Sequence, residues 1–536
     1  MWSTATMVLR PTSANQHPEL ENHFERRLFT RRHDLTAAIR LAIASDALHA
    51  MMSRAWGTIT DLADHYGISR PFVYSLANTL KEAGTYLFEE AKGLVSFLSP
   101  RELAIQMMLS LRLEGRSSIG AISTIMDRFG HPLSSTGSIS QIQSRIGGLL
   151  PMTISAEPNV TLAVVFASDE IFSKSVPILV TVDPGSSAIL RIELADSRTG
   201  EEWKNHFVCL QDNGMEAIYL VSDEGQGLLA GHAEALSDVV RQSDTYHAIA
   251  HQLGSWADRL EKAAYKAIDA EHDREKKLNS AKSMRVQNKR LRQWEECAET
   301  AEKAVSRYDD FIYLYYYLLA QINVFDSNGH LRSRQQAEEG VQVALALIAE
   351  LGHNPLTEAA SKVKRTLPDL FHYFDVAKEV VAECAALGID EEVLKSYCIA
   401  WQWGKAAEKT KTAAGKRKAR EQAQFCADIA AGLHQDESRD IQKEVYSRLD
   451  GIVQSSALVE CINSIIRPYL NTTKNHVTQD LLNLIMHYHN HRRYCDGKRK
   501  GKTPMEILTG REQAKDWMAI LFDLIREKDP ELLFAS

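Results

Sequence analysis

The chain has 536 residues, of which 62 are Lys or Arg and 70 are Asp or Glu, so its formal net charge is −8. This length is too great for one hydrophobic core, and we expect three or four domains. The acidic total weighs mildly against a nucleic-acid partner, because DNA-binding proteins usually carry a basic surplus. The total does not exclude local basic patches, so the positions of the charges matter more than their sum.

Cysteine usage and hydropathy indicate the environment of the protein. The seven cysteines are scattered and form no Cys-x-x-Cys pair, which favours reduced thiols in the cytoplasm over a disulfide framework or a zinc ribbon. The longest apolar stretch, residues 311–325, is interrupted by polar residues and is too short to span a bilayer. We therefore expect a cytoplasmic protein that has no membrane partner.

The first 150 residues are predicted to form a basic arm followed by two helical modules. Residues 1–35 have the composition of a flexible arm, whose basic cluster either contacts phosphates or is solvated. Residues 36–95 have the layout of a helix-turn-helix domain, in which Gly67 supplies a left-handed turn and Ser69 caps the second helix. Residues 96–150 repeat this layout more weakly, with a longer turn between the two helices.

The second helix of the first module carries the predicted DNA-reading face. We expect this face to enter the major groove, as recognition helices do. Its exposed side chains are predicted to be Arg70, Tyr74, Ser75 and Asn78. A plain helical hairpin that does not bind DNA is the alternative interpretation.

Residues 160–255 change to a mixed α/β pattern. Three apolar stretches, 161–168, 176–183 and 188–194, predict an antiparallel meander with an Asp-Pro-Gly turn at residues 183–185. A helix beginning near Gly200, a strand ending at Asp223 and a further helix after Gly225 follow. The resulting order βββαβα is that of a ribonuclease-H-like domain.

Acidic residues follow two of these strands and recur in a later helix. Asp169 comes directly after the first strand, and Asp223 ends the fourth. Neighbouring carboxylates repel each other unless a divalent cation lies between them. Glu460 adds a third acid, and Asn463 and Arg467 follow it at spacings that place all three on one helix face. The set predicts metal-dependent phosphoryl transfer on nucleic acid, with two Mg²⁺ or Mn²⁺ ions bound by oxygen ligands.

The segments that follow residue 255 are predicted to be helical and locally basic. Residues 256–450 read as an all-helical region that contains two basic clusters, and each cluster is either a solvated helix face or a contact with the DNA backbone. Residues 451–536 hold the Glu460 helix and a basic tail, in which Lys498 and Arg499 are predicted to bind DNA. The two basic clusters are Arg285, Lys289, Arg290 and Arg292, and Lys416, Arg417, Lys418 and Arg420.

At four of these segments the chain resembles the DDE transposases of prokaryotic insertion sequences, within the retroviral-integrase-like superfamily. Because Glu460 lies more than two hundred residues after Asp223, the helical region would be an insertion in the catalytic core, similar to that of hAT-type transposases. The N-terminal modules fit the end-binding domains of the family by architecture. The four segments are the strand that ends at Asp169, the Gly200…Trp203…Leu210…Gly214 helix that leads to Asp223, Leu458-Val459-Glu460…Asn463…Arg467-Pro468, and the tail Asn490-His-Arg-Arg-Tyr494…Gly501-Lys-Thr-Pro-Met-Glu-Ile-Leu508.

The resemblance implies a site and a set of partners. Asp169, Asp223 and Glu460 would hold the two metal ions. Asn463 would have an orienting role in the site, and Arg467 would bind a phosphate. His247 would either position the scissile phosphate or serve as a structural histidine. The partners would be double-stranded DNA, both element ends and target, and further copies of the chain in a dimer or larger assembly. The expected location is the nucleoid of a prokaryotic cytoplasm.

We therefore expect a mostly helical α+β multidomain protein. It would combine N-terminal helix-turn-helix domains with a ribonuclease-H-like α/β catalytic core that is interrupted by an all-α insertion. The predicted function is a transposase that binds element ends and catalyses cleavage and strand transfer. The alternatives are a catalytically silent, domesticated helix-turn-helix DNA-binding protein and a ribonuclease-H-like nuclease without strand transfer.

Overall fold

The structure is a computed structural model, and it describes residues 32, 34–88, 100–131, 133–410, 412–433, 438–474 and 476–534. The predicted basic arm at residues 1–35 lies almost wholly outside the described residues. The chain divides into two compact units, residues 1–97 and residues 98–536.

The first unit contains the predicted helix-turn-helix segment. Three helices, α1 (Ala37–Ser53), α2 (Thr58–His65) and α3 (Arg70–Phe88), share a small core that includes Ile43, Ala63 and Val73. The chain turns between α2 and α3 at Gly67, whose φ of 58° lies in the left-handed region that glycine adopts without steric cost. The helices and the turn therefore lie where the sequence predicts them.

Two side chains fix the turn between α2 and α3. The Oγ of Ser69 accepts a hydrogen bond from the backbone N–H of Phe72 at 3.4 Å, which is the predicted cap of α3. The guanidinium of Arg32 donates to the carbonyl oxygens of Tyr66 and Gly67, at 3.1 and 3.0 Å. Arg32 falls within the predicted basic arm, residues 1–35, and the structure places its guanidinium on this turn.

The second unit begins with three helices that belong to a larger core. They are α4 (Pro100–Leu109), α5 (Ile119–Arg128) and α6 (Thr136–Leu149), with a π-helical turn at Ser110–Glu114. The sequence analysis assigned residues 96–150 to a separate helix-turn-helix-like domain. In the structure the apolar side chains of α4–α6 join the core of the β-sheet, and a Cβ on Gly147 would lie 2.2 Å from the carbonyl oxygen of Asp480. One face of α6 is therefore packed against the C-terminal part of the chain.

A five-stranded mixed sheet follows. Its strands and their helices are β1 (Leu162–Ser173), β2 (Val176–Val182), β3 (Ile189–Leu194), α7 (Gly200–Asp212), β4 (Met215–Ser222), α8 (Gln226–Ala235) and β5 (Arg241–Ser243). The strand order is β3-β2-β1-β4-β5. Strands β1, β2 and β3 pair antiparallel, whereas β4 pairs parallel with β1 and β5 pairs parallel with β4. The predicted meander and the order of elements are confirmed.

The first strand is longer than the sequence pattern predicts. The sequence analysis ends it at Ser168, but β1 continues to Ser173 because β2 still pairs with it as far as Ser173↔Val176. The parallel pairing with β4 ends at Ser168↔Ser222. Asp169 therefore lies within the antiparallel pair that β1 forms with β2, and it is the first residue of β1 beyond the parallel pair with β4.

The predicted all-helical region forms a core of its own. It opens with a π-helical turn at Tyr246–His251 and includes a short 3₁₀ turn at Leu367–Asp369. Two long helices that pack on each other, α9 and α10, form a hairpin at its start. The α-helices are α9 (Gln252–Asn279), α10 (Met284–Gln321), α11 (Arg334–Ala349), α12 (Asn354–Thr366), α13 (His372–Ala385), α14 (Glu391–Lys409), α15 (Ala413–Leu433) and α16 (Ser438–Leu449).

The C-terminal helices return to the sheet. They are α17 (Ala457–Thr472), α18 (Gln479–His491), α19 (Pro504–Thr509), α20 (Trp517–Lys528) and α21 (Glu531–Phe534). Their apolar side chains share one core with the sheet and with α4–α6. In the described part of the chain, no helix has both the length and the apolar character needed to cross a membrane.

A close helix crossing provides a test of this packing. A Cβ on Gly231 of α8 would lie 2.4 Å from the Cβ of Trp203 on α7 and 2.8 Å from the backbone nitrogen of Lys204. We expect Gly231→Ala to lower the free energy of unfolding by about 1–3 kcal/mol, because the added methyl group forces the helices apart. Urea denaturation measures the change.

The control is Gly404→Ala in α14, where the added methyl group meets no heavy atom of the described chain within 4 Å. This variant should be neutral or more stable by up to about 1 kcal/mol, because alanine is the better helix former. Equal denaturation midpoints for the two variants would contradict the close crossing of α7 and α8.

Candidate active site

The register of two parallel strands brings Asp169 and Asp223 side by side. Ser168 of β1 is paired with Ser222 of β4, and both serine side chains are fully buried. Asp169 and Asp223 are the residues that follow these two serines in the sequence, and adjacent strands lie about 4.8 Å apart. The Oδ1 of Asp223 accepts the backbone N–H of Gly225 at 2.9 Å. The sheet therefore fixes both carboxylates by their backbones.

Helix α17 brings two further predicted residues to the same place. Asn463 is buried, and its Nδ2 donates a hydrogen bond of 2.8 Å to the Oδ2 of Asp169. Glu460 lies in the first turn of α17, where the positive end of the helix dipole favours a carboxylate. The Nε2 of His247 lies 3.8 Å from the Oε1 of Glu460. The structure thus gathers Asp169, Asn463, Glu460 and His247 around one end of the sheet.

The electrostatics of Asp169 report how close the acids are. Burial, the largest cause, and the negative charges of Asp223 and Glu460 together raise the pKa of the Asp169 carboxyl to about 7. The backbone N–H of Glu170 and the nearby His247 act in the opposite direction. The three carboxylates therefore act on one another, and ionising all of them at once costs free energy.

A buried aspartate that the sequence analysis did not assign holds α17 in position. Asp244 follows β5, and its Oδ2 accepts hydrogen bonds from the backbone N–H of Ser456, at 2.7 Å, and from the Ser456 hydroxyl group. Its Oδ1 accepts the backbone N–H of His247 at 3.1 Å. Ser456 is the residue that begins α17. One carboxylate thus anchors both the Glu460 helix and the turn that carries His247.

Neighbouring backbone groups extend this junction. The backbone N–H and the hydroxyl group of Thr245 donate to the carbonyl oxygen of Gln454, at 3.2 and 2.8 Å. The side-chain amide of Gln242 donates to the carbonyl oxygen of Val453 at 3.0 Å. The segment that leaves the helical region is therefore fastened to the segment that enters it.

The sequence contained one signal for Asp244. It directly follows β5, in the way that Asp223 follows β4. The sequence analysis considered its neighbour His247 but gave Asp244 no role. Ser456 carries no comparable signal, because a serine before a helix is the usual cap residue.

The remaining predicted residues have different surroundings. Arg467 is exposed on α17, as a phosphate ligand would be. The Nζ of Lys498 pairs with the Oδ2 of Asp450 at 2.8 Å. Arg499 donates to the carbonyl oxygens of Pro184 and Gly185, at 3.0 and 2.8 Å. Lys498 and Arg499 thus bind other parts of the protein, and their contact with DNA stays a prediction.

The predicted DNA-reading face belongs to the first unit. All four of its residues are exposed on α3, whereas Val73 and Ala77 on the opposite side of the helix are buried. This pattern fits both a recognition helix and a plain helical hairpin, so the reading of DNA by α3 stays a prediction. The four residues are Arg70, Tyr74, Ser75 and Asn78.

The oxygen ligands around Asp169, on the central strands of the sheet and on α17, fit a hard divalent cation in charge and chemistry. Carboxylate and amide oxygens are the ligands that Mg²⁺ and Mn²⁺ prefer. The buried Oδ1 of Asn463 has no hydrogen-bond partner among the described residues, and the acids around Asp169 repel one another. As the side chains stand, no three His, Cys, Asp or Glu residues in the described ranges are arranged so that they could hold a metal ion.

Comparison with known proteins adds a family match. Residues 160–324 match the family described as "Transposase, Mutator family". The matched stretch includes Asp169, Asp223 and His247, together with the first part of the helical region. This match supports a transposase.

Two further comparisons give no argument. The chain is similar to a solved structure entitled "Drosophila P element transposase strand transfer complex" at 12% sequence identity, with 85% of this chain and 100% of that chain covered. The TM-score of 0.23 is too low to carry a conclusion about fold or function. A comparison with curated proteins finds no match.

The raised pKa of Asp169 predicts how stability depends on pH without added metal. The folded state keeps a proton that the unfolded state releases between about pH 4 and pH 7, so the contribution of this group is complete below about pH 4 and is lost as the pH rises through about 7. We expect Asp169→Asn to raise the free energy of unfolding at pH 8 by on the order of a few kcal/mol. The melting temperature at that pH should therefore rise. The gain should disappear near pH 4.

Asp212→Asn, at an exposed carboxylate of α7, is the control and should change stability little at either pH. Calorimetry with chelator present measures both variants. A melting temperature of Asp169→Asn that equals that of the wild type at pH 8 would contradict the repulsion at the site.

The junction at Asp244 gives a second test. We expect Asp244→Ala to lower the free energy of unfolding by about 2–4 kcal/mol, because the charge-assisted hydrogen bonds to Ser456 are lost and buried donors stay unpaired. Thr245→Val removes only the neutral bond to the Gln454 carbonyl and should cost about 1 kcal/mol. Urea denaturation compares them, and equal costs would show that Asp244 is not the main anchor.

Proposed function

We propose that this protein is a DDE transposase, which binds the ends of its own element and cuts and joins DNA at a site formed by Asp169, Asp223 and Glu460. The observation that carries the proposal is the pairing of Ser168 with Ser222, which makes two acids adjacent on parallel strands. The return of α17 to the same edge adds Glu460. The family match over residues 160–324 supports the same conclusion.

The topology supports a ribonuclease-H-like core within this proposal. The order β3-β2-β1-β4-β5, with three antiparallel strands followed by two parallel ones, agrees with the expectation from the βββαβα sequence pattern. In the chain, the helical region begins after β5 and ends before α17. Within this proposal it would be an insertion between the second and third acids.

Each residue of the site has a distinct task in the proposed reaction. Asp169, Asp223 and Glu460 would together hold the divalent ions. When bound, two divalent ions would activate an attacking hydroxyl group and stabilise the leaving oxygen. Asn463 holds the Asp169 carboxylate in one orientation through its 2.8 Å hydrogen bond. His247, beside Glu460, would bind the phosphate that is cut.

The remaining parts of the chain would bring the DNA to this site. The exposed face of α3 would read the element ends in the major groove. Arg467, exposed seven residues after Glu460, would bind a phosphate beside the scissile bond. Pairing of two ends would require a dimer or a larger assembly, acting on the nucleoid of a prokaryotic cell.

Cleavage of DNA that carries the sequences flanking the gene tests this proposal. We expect the wild type to nick this DNA at the element ends when Mg²⁺ or Mn²⁺ is present. Asp169→Asn and Glu460→Gln should reduce the rate by at least about a thousandfold, because both remove a carboxylate from the site. Both variants should bind the same DNA as tightly as the wild type does.

The matched control for binding is the double variant Arg70→Ala/Asn78→Ala, which leaves the acids intact. It should lose preference for the element ends yet keep the fold of the first unit, since both side chains are exposed. Specific binding by the wild type without cleavage under either metal would favour the catalytically silent DNA-binding protein instead. Nicking without any joining of ends to a target would favour a nuclease.

A further inference from the structure

The hairpin of α9 and α10 extends well beyond the core of the helical region. Between residues 265 and 300, all of which the structure describes, no side chain is buried. Ala264 is the last buried residue of α9, and Ala301 is the first buried residue of α10. At 1.5 Å per residue, the part of α10 before Ala301 is about 25 Å long. A projection of this length without a core contact is free to meet another molecule.

The end of this hairpin is strongly basic in a protein whose net charge is −8. Residues 274–292 contain eight basic residues and one acidic residue. The sequence analysis left open whether this cluster is a solvated helix face or a contact with DNA. The structure separates the members of the cluster by what they touch. The eight are Arg274, Lys276, Lys277, Lys282, Arg285, Lys289, Arg290 and Arg292.

One arginine of the cluster braces the hairpin. The guanidinium of Arg290 donates to the carbonyl oxygen of Lys277 and to the hydroxyl group of Ser280, both at the end of α9. Arg290 is half-buried. These contacts join the two helices across the loop, so this residue has a structural task and the loop is held in one conformation.

Three other cations form an exposed row on the outer side of α10, which we call the basic stripe: Arg285, Lys289 and Arg292. Their spacing of four and three residues places them on one helix face, and all three are exposed. No acidic group of the described chain forms a salt bridge with any of them. The stripe is about 10 Å long, which matches the axial length of about three phosphates on one DNA strand.

The charge on this face reverses further along α10. Glu296 and Glu299 continue the same face at spacings of four and seven residues from Arg292, and both are exposed. Glu299 is paired with Lys303 at 2.5 Å. A polyanion on the basic stripe would be repelled by these glutamates, so its contact would end there. The change from basic to acidic side chains along this face of α10 therefore marks one end of the basic stripe.

We propose that the basic stripe at the tip of the α9–α10 hairpin binds the phosphate backbone of double-stranded DNA. The contact would be independent of base sequence, because the three long cationic side chains lie along a helix face and phosphates carry no sequence information. It would hold DNA at a distance from the acids at the sheet edge. This inference rests on the proposed function only in taking DNA as the partner.

The salt dependence of DNA binding tests the proposal. The full-length protein and its variant Arg285→Gln/Lys289→Gln/Arg292→Gln are titrated onto a fluorescent duplex of random sequence, at several salt concentrations and without divalent ions. Each phosphate contact contributes about 0.9 to the slope of log K against log salt concentration. We expect the variant to bind more weakly and its slope to be smaller in magnitude by about 2.7.

The control variant removes the same charge elsewhere. Lys262→Gln/Lys395→Gln/Lys443→Gln changes three lysines that are each paired with an acid on their own helix, and its slope should equal that of the wild type. Glutamine is a good helix former, so the far-ultraviolet circular dichroism of both variants should match that of the wild type. An equal loss of slope in both variants would show a general charge effect and overturn the proposal.

The outcomes separate this proposal from the proposed function. If the basic-stripe variant keeps the full slope while the wild type cuts element ends, the stripe is solvated and the transposase proposal stands. If the slope falls as expected but the protein never cuts, the stripe binds DNA and the catalytic proposal fails. A change of slope that appears with an RNA duplex and not with DNA would overturn DNA as the partner.

Discussion

The buried carboxylate of Asp244 is the interaction on which the geometry of the candidate site depends. It joins Ser456 to the end of β5, across a separation of 212 residues in the chain. Closing a loop of that length costs conformational entropy, and the helical region offsets this cost by folding around its own core. Because the segments that enter and leave the helical region are hydrogen-bonded to each other, the Glu460 helix stays beside the sheet.

The same arrangement creates a local electrostatic cost. Sheet register and helix packing hold Asp169, Asp223 and Glu460 near one another, and burial together with their mutual repulsion raises the pKa of Asp169 to about 7. The fully buried serines beneath the two aspartates and the hydrogen bond from Asn463 keep the carboxylates from moving apart. Under the proposed function, a divalent cation would offset this repulsion.

Local patterns in the sequence were sufficient to predict much of this architecture. Apolar stretches predicted the first four strands and their order along the chain, and the turn at Gly67 was recognisable because few other residues adopt its backbone conformation. The extension of β1 to Ser173 could not be read in the same way, since it depends on the partner strand β2. A strand end is a property of a pair, whereas a sequence pattern describes one chain segment.

The interactions that the sequence did not reveal are those between distant segments. Nothing local to Asp244 points to Ser456, and the tail residue Arg499 has no feature that distinguishes a ligand of the Pro184 carbonyl from a ligand of DNA. Residues 96–150 were predicted to be a separate module because they repeat the helix-turn-helix layout more weakly. Only the three-dimensional structure shows that their apolar faces complete the core of the sheet.

The distribution of charge reconciles an acidic protein with a proposed DNA partner. With 70 acidic residues against 62 basic ones, the net charge of −8 repels a polyanion at long range. Under the proposed function, phosphates would lie where exposed cations have no acidic salt-bridge partner in the described chain, such as the basic stripe on α10. Glu296 and Glu299 limit that place on one side. In such a protein the acidic majority does not oppose DNA binding as a whole, because it restricts where DNA can lie.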